Sequence, residues 1–581
     1  SFGKSLAAGI DYVAVGAPDT QSQTGAVFTY YIDSQGTFNR RPVLRPSDIT
    51  TGDKFGESIV ASGNGRHLFV GAPGDDSVYV YTLVEIAESA IRSKTITGAG
   101  LPGTYALGFT PISIEALNVT DENGKVYLPH KDFSISGSNI TPTATLSGGL
   151  DVVIRQQDYF VQVGKYTGHD TLTGDAFGTS IDCDYYGRYV VVGAPDAAVA
   201  NTDSTVLAGA GEAYVFAQVV ERFIGDGSTK AFTTNATLQT KIFVEVDGVL
   251  QTETDNADIP VDNEGSTDGF YTRSSNTITL KYIPAKGANI QVYTGTFAEK
   301  QKIDQNIAGQ APGQGERFGA SVAIDNRGTV VAIGSPGEDE TNPNTGSVFI
   351  LQDSGKNYAK VTAGTPHTQT AGDIFYIDDY RVTVSETSTS PTKIAADINN
   401  SKIPGVSASV NSAGQLTIET TNKEDQNKLT VNPGTGQIFV RDELLQPFVF
   451  TQKINHPNAF ENENFGERVA FDKYFAGGLR NLVVSSDKAS TLLGVGFDVE
   501  QNTNSEDYLS ATTTFDNNGT TFTDRVTQSG AAYVYELLDA HTESITNPKK
   551  MVFGQQLKST NVSELDQFGA SIAFNDNRIL I

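Results

Sequence analysis

The sequence predicts an all-β protein assembled from one repeated four-stranded antiparallel unit. Three observations carry that prediction: a strand-turn-strand pattern recurs six times, turn residues bound short apolar runs throughout, and β-forming residues dominate the apolar set. Glycine alone accounts for 58 of 581 residues, so many short strands and little helix are expected. A chain of this length would ordinarily hold three or four domains, and internal repetition is the main exception to that expectation.

Each unit opens on a Phe-Gly pair: Phe2-Gly3, Phe55-Gly56, Phe177-Gly178, Phe318-Gly319, Phe465-Gly466 and Phe568-Gly569. An alternating apolar segment follows, as in Ser58-Ile59-Val60-Ala61 and Ser321-Val322-Ala323-Ile324. After a tight turn, a second apolar strand ends at Gly16-Ala17-Pro18, Gly71-Ala72-Pro73, Gly193-Ala194-Pro195 or the variant Gly334-Ser335-Pro336. Sixteen residues separate Phe55 from Gly71, Phe177 from Gly193 and Phe318 from Gly334, a constancy that composition alone does not produce. The fifth copy decays to Val484-Ser485-Ser486. Third strands begin near glycine or serine, at Ala26-Val27-Phe28, Val78-Tyr79-Val80, Ala213-Tyr214-Val215, Val348-Phe349-Ile350 and Ala532-Tyr533-Val534. A fourth strand leading into the next Phe-Gly completes the sheet.

These motifs resemble the FG-GAP repeat of integrin α-subunit propellers and their microbial and viral relatives. The resemblance implies a β-propeller of four-stranded blades, six to seven in number, whose radial repetition leaves only short protected edges. In that setting the phenylalanines fill the space between sheets, the glycines permit close backbone approach, and Pro18, Pro73, Pro195 and Pro336 end strands where no ladder donor is needed. The motif residues are therefore expected to pack and turn the chain, with no ligand role. The sixth copy reaches Ile581 before its Gly-Ala-Pro. Either the sequence is part of a longer polypeptide or its two terminal partial blades complement each other.

Uneven spacing between the Phe-Gly pairs points to insertions, and the expected organisation is as follows. Residues 1–83 form blades 1 and 2, 84–158 an inserted β-domain, 159–218 blade 3 and 219–299 a second inserted β-domain. Residues 300–352 form blade 4, 353–447 an inserted α+β domain, and 448–581 blade 5, with a loop insertion at 487–528, and the truncated blade 6. The first three insertions are expected between the last strand of one blade and the first of the next, hence on one face of the ring. The first two look homologous: Phe133-Ser134-Ile135-Ser136-Gly137-Ser138-Asn139-Ile140-Thr141 parallels Tyr271-Thr272-Arg273-Ser274-Ser275-Asn276-Thr277-Ile278-Thr279. The second, with Val246-Asp247-Gly248-Val249-Leu250 and Pro284-Ala285-Lys286-Gly287-Ala288, resembles a module common in tail and fibre proteins of tailed bacteriophages. In the third, Ile394-Ala395-Ala396-Asp397-Ile398-Asn399 has helical spacing ahead of strand-like Val406–Val410 and Leu416–Glu419, which is also reminiscent of phage structural proteins.

The formal net charge is −27, which disfavours a nucleic-acid partner and promotes solubility. The one basic cluster, Arg40, Arg41 and Arg45 around Pro42 and Pro46, is expected to be a solvated strand edge. Cys183 is the single cysteine, so no intrachain disulfide forms. No apolar run approaches the roughly 20 residues that span a bilayer. Integrin-type propellers often hold calcium in an Asp-x-Asp-x-Asp-Gly loop between the first two strands, but the corresponding segments here, Ser62-Gly63-Asn64-Gly65, Asp184-Tyr185-Tyr186-Gly187 and Asp325-Asn326-Arg327-Gly328, read as plain turns. Asp182 with Asp184 is the nearest approach to a calcium site, and no other cofactor is expected. His67, His130, His169, His367, His456 and His541 are scattered without metal-ligand spacing, and no nucleophile elbow or phosphate loop is present.

Together with the phage-like insertions, the resemblance implies a non-catalytic structural or adhesion protein of a tailed-phage virion. The propeller would be the scaffold in a homo- or hetero-oligomeric assembly, and the insertions would contact other virion proteins or a host receptor or glycan. A secreted or cell-surface bacterial adhesin is the alternative, and a polysaccharide-active enzyme a more distant one.

Overall fold

The computed structural model describes all residues except 34, 98–102, 144–149, 202–204, 235–237, 239–241, 248, 254–268, 309, 340–342, 354–359, 363–370, 373, 378–379, 388–389, 402–405, 412–413, 415, 421–430, 434–447, 457–462, 473–479, 490, 493–524, 527–528, 539–549, 558–566 and 576–577. Most of the 487–528 insertion therefore lies outside the described residues. The chain divides into two units, one of Ser1–Val215, Gln301–Asp353 and Phe448–Ile581, the other of Phe216–Lys300 and Ser354–Pro447.

The fold is all-β, with four-stranded antiparallel sheets as its repeating element. In the first unit these sheets are the blades, and consecutive strands are neighbours in each. Blade 1 is Leu6–Ala8, Tyr12–Gly16, Val27–Ile32 and Phe38–Arg40. Blade 2 is Ile59–Ala61, His67–Ala72, Ser77–Val84 and Tyr159–Tyr166. Blade 3 begins with Ser180–Cys183 and Tyr189–Ala194 and continues into Glu212–Ile224 and Asn289–Ile303, two long strands that carry the chain across the boundary between units. Blade 4 is Ser321–Ile324, Val330–Ser335, Ser347–Asp353 and Phe448–Asn455. Blade 5 is Arg468–Phe471, Arg480–Ser486, Ala531–Leu538 and Lys550–Leu557. After the sixth Phe-Gly come Ala573–Asn575 and Arg578–Leu580.

First strands pack in succession from each blade to the next, through all six copies, which is the inner-strand order of a propeller. Cores lie between blades. Tyr12, Ala14 and Val27 of blade 1 pack with Phe55, Leu68, Val70 and Tyr79 of blade 2, and Val191 and Val215 of blade 3 pack with Phe318, Ile333 and Phe349 of blade 4. Second strands have a blade on either side, so every residue of His67–Ala72 and of Val330–Ser335 is buried.

The expected position of the insertions is corrected. Val84 is the register partner of Tyr159, and Asp353 that of Phe448, so the 84–158 and 353–447 segments each sit in the hairpin between the third and fourth strands of one blade. Strand Tyr159–Tyr166 consequently belongs to blade 2, not blade 3, and Phe448–Asn455 to blade 4, not blade 5. Paired strands lie about 4.8 Å apart, so a segment whose ends are close enters and leaves such a hairpin without disturbing the ladder.

Within the first insertion, Val126–Tyr127, Leu117–Asp121, Val152–Gln156 and Arg92–Ile96 form one sheet in that order, and Phe133–Ser136, Asn139–Pro142 and Tyr105–Ala106 form another. The second insertion repeats this topology. Val249–Glu253, Phe243–Val246, Asn289–Ile303 and Glu212–Ile224 take the places of the first set, and Phe270–Ser274, Thr277–Leu280 and Ala231–Thr233 those of the second. Both contain a hairpin closed by two residues, Gly137-Ser138 in one and Ser275-Asn276 in the other, whose first member has positive φ. In the third insertion the helically spaced stretch is a helix, Pro391–Asn400, followed by strands Val406–Val410 and Leu416–Thr420.

The basic cluster departs from its expected exposure. Arg41 is 4% exposed, with Asp11 at 3.6 Å, Asp158 at 3.8 Å and the Tyr31 ring beneath it. The outer strand of blade 1 is covered by the first insertion, whose Gln157 amide donates to the Arg40 carbonyl at 2.8 Å while Leu128 packs on Ala26 and Val43. Covering an edge with another element protects it as well as charge does.

Candidate functional site: blade joints and inter-strand turns

The Phe-Gly and Gly-Ala-Pro motifs meet at the joints between blades. Within a blade, the Phe-Gly glycine donates its N–H to the carbonyl of the Gly-Ala-Pro glycine, at 2.9 Å for Gly3 to Gly16 and Gly56 to Gly71, and at 3.0 Å for Gly178 to Gly193 and Gly319 to Gly334. Across to the next blade, Gly16, Gly71, Gly193 and Gly334 lie against the carbonyls of Gly56, Gly178, Gly319 and Gly466, so closely that a Cβ on any of them would fall far inside van der Waals contact. The serine three residues after each Phe then bonds the same carbonyl. Ser5, Ser58, Ser180 and Ser321 donate to Gly56, Gly178, Gly319 and Gly466 at 2.7, 2.6, 2.8 and 2.7 Å. Pro18, Pro73, Pro195 and Pro336 are buried just beyond the second strands.

A second glycine, outside the Phe-Gly and Gly-Ala-Pro motifs, completes the joint. Gly25, Gly211, Gly346 and Gly530 precede third strands at φ of 81° to 92°, against the carbonyls of Phe55, Phe318, Phe465 and Phe568. Blade 2 has Asp76 there instead, at φ 46°, and its carboxylate accepts the N–H of Phe177 at 3.0 Å and of Gly174 at 2.8 Å. Burial raises the Asp76 pKa above the ordinary carboxylate range, against the pull of those N–H groups.

Each Phe-Gly ring packs edge-to-face on an aromatic of its own third strand: Phe2 on Phe28, Phe55 on Tyr79, Phe177 on Tyr214, Phe318 on Phe349 and Phe465 on Tyr533, with centroids 5.2 to 5.4 Å apart. Phe55, Phe177, Phe318 and Phe465 are fully buried, Phe568 partly, and Phe2 is exposed. The fifth Gly-Ala-Pro does decay, and the joint weakens with it. Ser485 stands in for glycine, accepting the Gly466 N–H at 2.9 Å, but its own buried hydroxyl has no partner. Arg468 occupies the place of the bridging serine.

A further constellation was missed in the sequence. Lys165 Nζ lies 2.8 Å from both Asp48 and Asp75, above the Tyr79 ring, and the Tyr79 hydroxyl donates to Asp75 at 2.9 Å. Blade 3 repeats it, with Lys302 2.6 Å from Asp170 and 2.7 Å from Glu212, and Tyr214 donating to both carboxylates. Burial works against the Lys302 charge, but Glu212 and Asp170 outweigh it and raise the ammonium pKa. Blade 4 keeps Lys453 with Glu338 at 2.6 Å over Phe349, and blade 5 has Gln556 in the lysine's place opposite Tyr533, its amide donating to the Tyr533 hydroxyl at 3.3 Å, with His456 Nε2 from the segment ahead of Phe465 2.9 Å from the same hydroxyl. One signal was available: Asp48-x-x-Thr51-Gly52-Asp53-x-Phe55 and Asp170-x-x-Thr173-Gly174-Asp175-x-Phe177 share spacing. The lysines carry no local mark, because strand pairing across an insertion brings them in.

The two calcium candidates are both bonded to backbone. Asp182 accepts the Ile324 N–H of the next blade's first strand at 2.8 Å. Asp184, with its side chain fully buried and its pKa raised by that burial, accepts the N–H groups of Arg188 at 2.5 Å and Tyr189 at 2.8 Å across its own turn. Asp325 does the same for Thr329 and Val330. Among the described residues no group of three or more His, Cys, Asp or Glu side chains is disposed to hold a metal ion. No helix of the described residues is long and apolar enough to cross a membrane.

Residues 309–351, which span the Phe318 and Gly334 motifs of blade 4, match the FG-GAP repeat family. Among solved structures, Chaetomium thermophilum Sqt1 bound to the N-terminus of the ribosomal protein L10 aligns with 84% of this chain and 82% of its own, at 9% identity and a TM-score of 0.25. No curated protein matches the chain.

Proposed function

We propose that this chain is a non-catalytic structural or adhesion component of a tailed-phage particle, in which the propeller is a rigid scaffold and the inserted segments contact other virion proteins or a host-surface receptor or glycan. The observation that carries the reading is the placement of the insertions. Segments as long as 84–158 and 353–447 are hung on single hairpins whose flanking residues stay in register, an arrangement that adds surface while leaving the blade ladder intact. The likeness of the second insertion to tail and fibre modules supports the viral setting. Its test is a mass-spectrometric inventory of purified particles from a producing culture. Peptides of this chain at stoichiometric level support the assignment. Their absence from particles, with recovery from cell envelopes or culture medium, would replace it with a bacterial adhesin.

A further inference from the structure

The first insertion is held to a blade other than the one that carries it. It leaves and rejoins blade 2 at the Val84–Tyr159 pair, yet it packs against the outer edge of blade 1. Three kinds of contact meet there. Leu128, 3% exposed, and Val126 lie on Ala26, Phe28 and Val43. The side-chain amides of Gln157 and Asn118 both donate to the Arg40 carbonyl, at 2.8 and 3.5 Å. Asp158 faces the buried Arg41 guanidinium at 3.8 Å, and its carboxylate also accepts the Ile86 N–H at 2.9 Å, which ties the entering chain to the leaving chain at the neck of the insertion. The strand so gripped has little other support: Phe38–Arg40 has three residues, pairs only with Val27–Ile32, and is the edge of its sheet.

The grip is not a general property of the module. Register pairs align Val119, Tyr127 and Ile154 of the first insertion with Val244, Gln251 and Val292 of the second. On that alignment Leu128, Gln157 and Asp158 correspond to Thr252, Gly295 and Thr296, so the second copy of the fold lacks the apolar side chain, the amide and the carboxylate that make the contact.

We propose that the first insertion is an intramolecular brace: it clamps the outer edge of blade 1 to blade 2 and keeps that edge from fraying. Its gripping face, formed by Asn118, Val126, Leu128, Gln157 and Asp158, is therefore occupied by the chain itself and serves no outside partner. Burying a leucine and closing a hydrogen bond together shift a local opening equilibrium by more than about tenfold. The proposal goes beyond the virion assignment, in which the insertions face outward, and it holds in either setting.

Amide hydrogen exchange of the whole chain, read by mass spectrometry, tests it. In the double variant Leu128→Thr with Gln157→Gly, which carries the second insertion's residues, exchange in Val27–Ile32 and Phe38–Arg40 is expected to rise at least about tenfold, while Val152–Gln156 within the insertion and Val330–Ser335 in blade 4 keep the parent rate. Replacing residues 85–158 by an Asn-Gly turn between Val84 and Tyr159 should loosen blade 1 in the same way, and it covers the case in which the double variant unfolds the insertion. Replacing residues 354–447 likewise should leave blade 1 unchanged. The proposal is overturned if blade 1 keeps its parent exchange in the double variant or without residues 85–158, if all blades accelerate together, or if loss of 354–447 loosens blade 1 as much as loss of 85–158.

Discussion

Alanine at Gly193 should open the joint between blades 3 and 4. Gly193 does not have positive φ, so the backbone itself accepts alanine. What the new Cβ cannot do is coexist with the Gly319 carbonyl oxygen and Ser180 Oγ, which it would penetrate by about 1 Å or more relative to ordinary contact. The blades must separate by a comparable distance. That removes the 2.8 Å bond from Ser180 to Gly319 and stretches the 2.8 Å bond from Ile324 N–H to Asp182. At about 1 kcal/mol for the neutral bond and about 2 for the charged one, plus about 1–3 kcal/mol for overpacking, the loss is about 4–6 kcal/mol. Two controls bracket it. Ser180→Ala deletes the hydroxyl bond alone, about 1 kcal/mol. Gly315→Ala places alanine at φ 77° with nothing within 4 Å of its Cβ, which isolates the backbone cost at about 1–2 kcal/mol. Urea unfolding followed by tyrosine fluorescence is a suitable assay, since the chain has 23 tyrosines and no tryptophan. If Gly193→Ala costs no more than Gly315→Ala, close approach at the joint is not what the motif glycine is for.

Asp76→Ala should cost about 2–4 kcal/mol, because it loses the acceptor for two N–H groups and leaves a non-glycine residue at φ 46°, whereas Asp76→Gly should recover part of that by matching the other joints; the same urea titration distinguishes them. Arg468→Ser should supply the missing donor for the Gly569 carbonyl and slow amide exchange in Ala573–Asn575 and Arg578–Leu580 about fivefold, equivalent to about 1 kcal/mol. His67 is buried in the second strand of blade 2, and desolvation, aided by Arg66, lowers its pKa from 6.5 to about 4. Its neutral form is the folded one, so this contribution is complete above pH 6.5 and is lost as pH falls through 4, by about 3 kcal/mol in all; stability against pH should flatten over that window in His67→Gln. Replacing residues 354–447 by a short Asn-Gly turn should leave the unfolding free energy of the blades, from urea titration, within about 1 kcal/mol of the parent, because Asp353 and Phe448 are already register partners.

The repeat was legible because Phe-Gly and Gly-Ala-Pro are local marks of a backbone contact that few other residues allow. Their partners were not, since Ser5 reaches Gly56 across 51 residues while Ser321 reaches Gly466 across 145. Fourth strands such as Tyr159–Tyr166 carry no motif and precede the next Phe-Gly, so sequence order assigned them to the wrong blade. The arginine cluster misled for a related reason: whether Arg41 is solvated depends on a domain inserted more than forty residues later docking over it.

The departures from the motif show what is being maintained. At the joint between blades 2 and 3 the positive-φ glycine is lost, but Asp76 restores the lost tie by accepting the Phe177 N–H, and the Phe ring, the bridging Ser58 and the close approach at Gly71 are all kept. At the joint between blades 5 and 6 both halves change together, Ser485 for glycine and Arg468 for serine, and the Ser485 hydroxyl is left buried without a partner. The first substitution preserves the joint by different chemistry, and the second relaxes it. The conserved quantity along this chain is therefore a backbone-to-backbone distance between blades, and the motif letters are the commonest residues that allow it. A weakly jointed final blade follows from that distance no longer being held by a side-chain donor, which is why restoring serine at position 468 is the most direct way to tighten it.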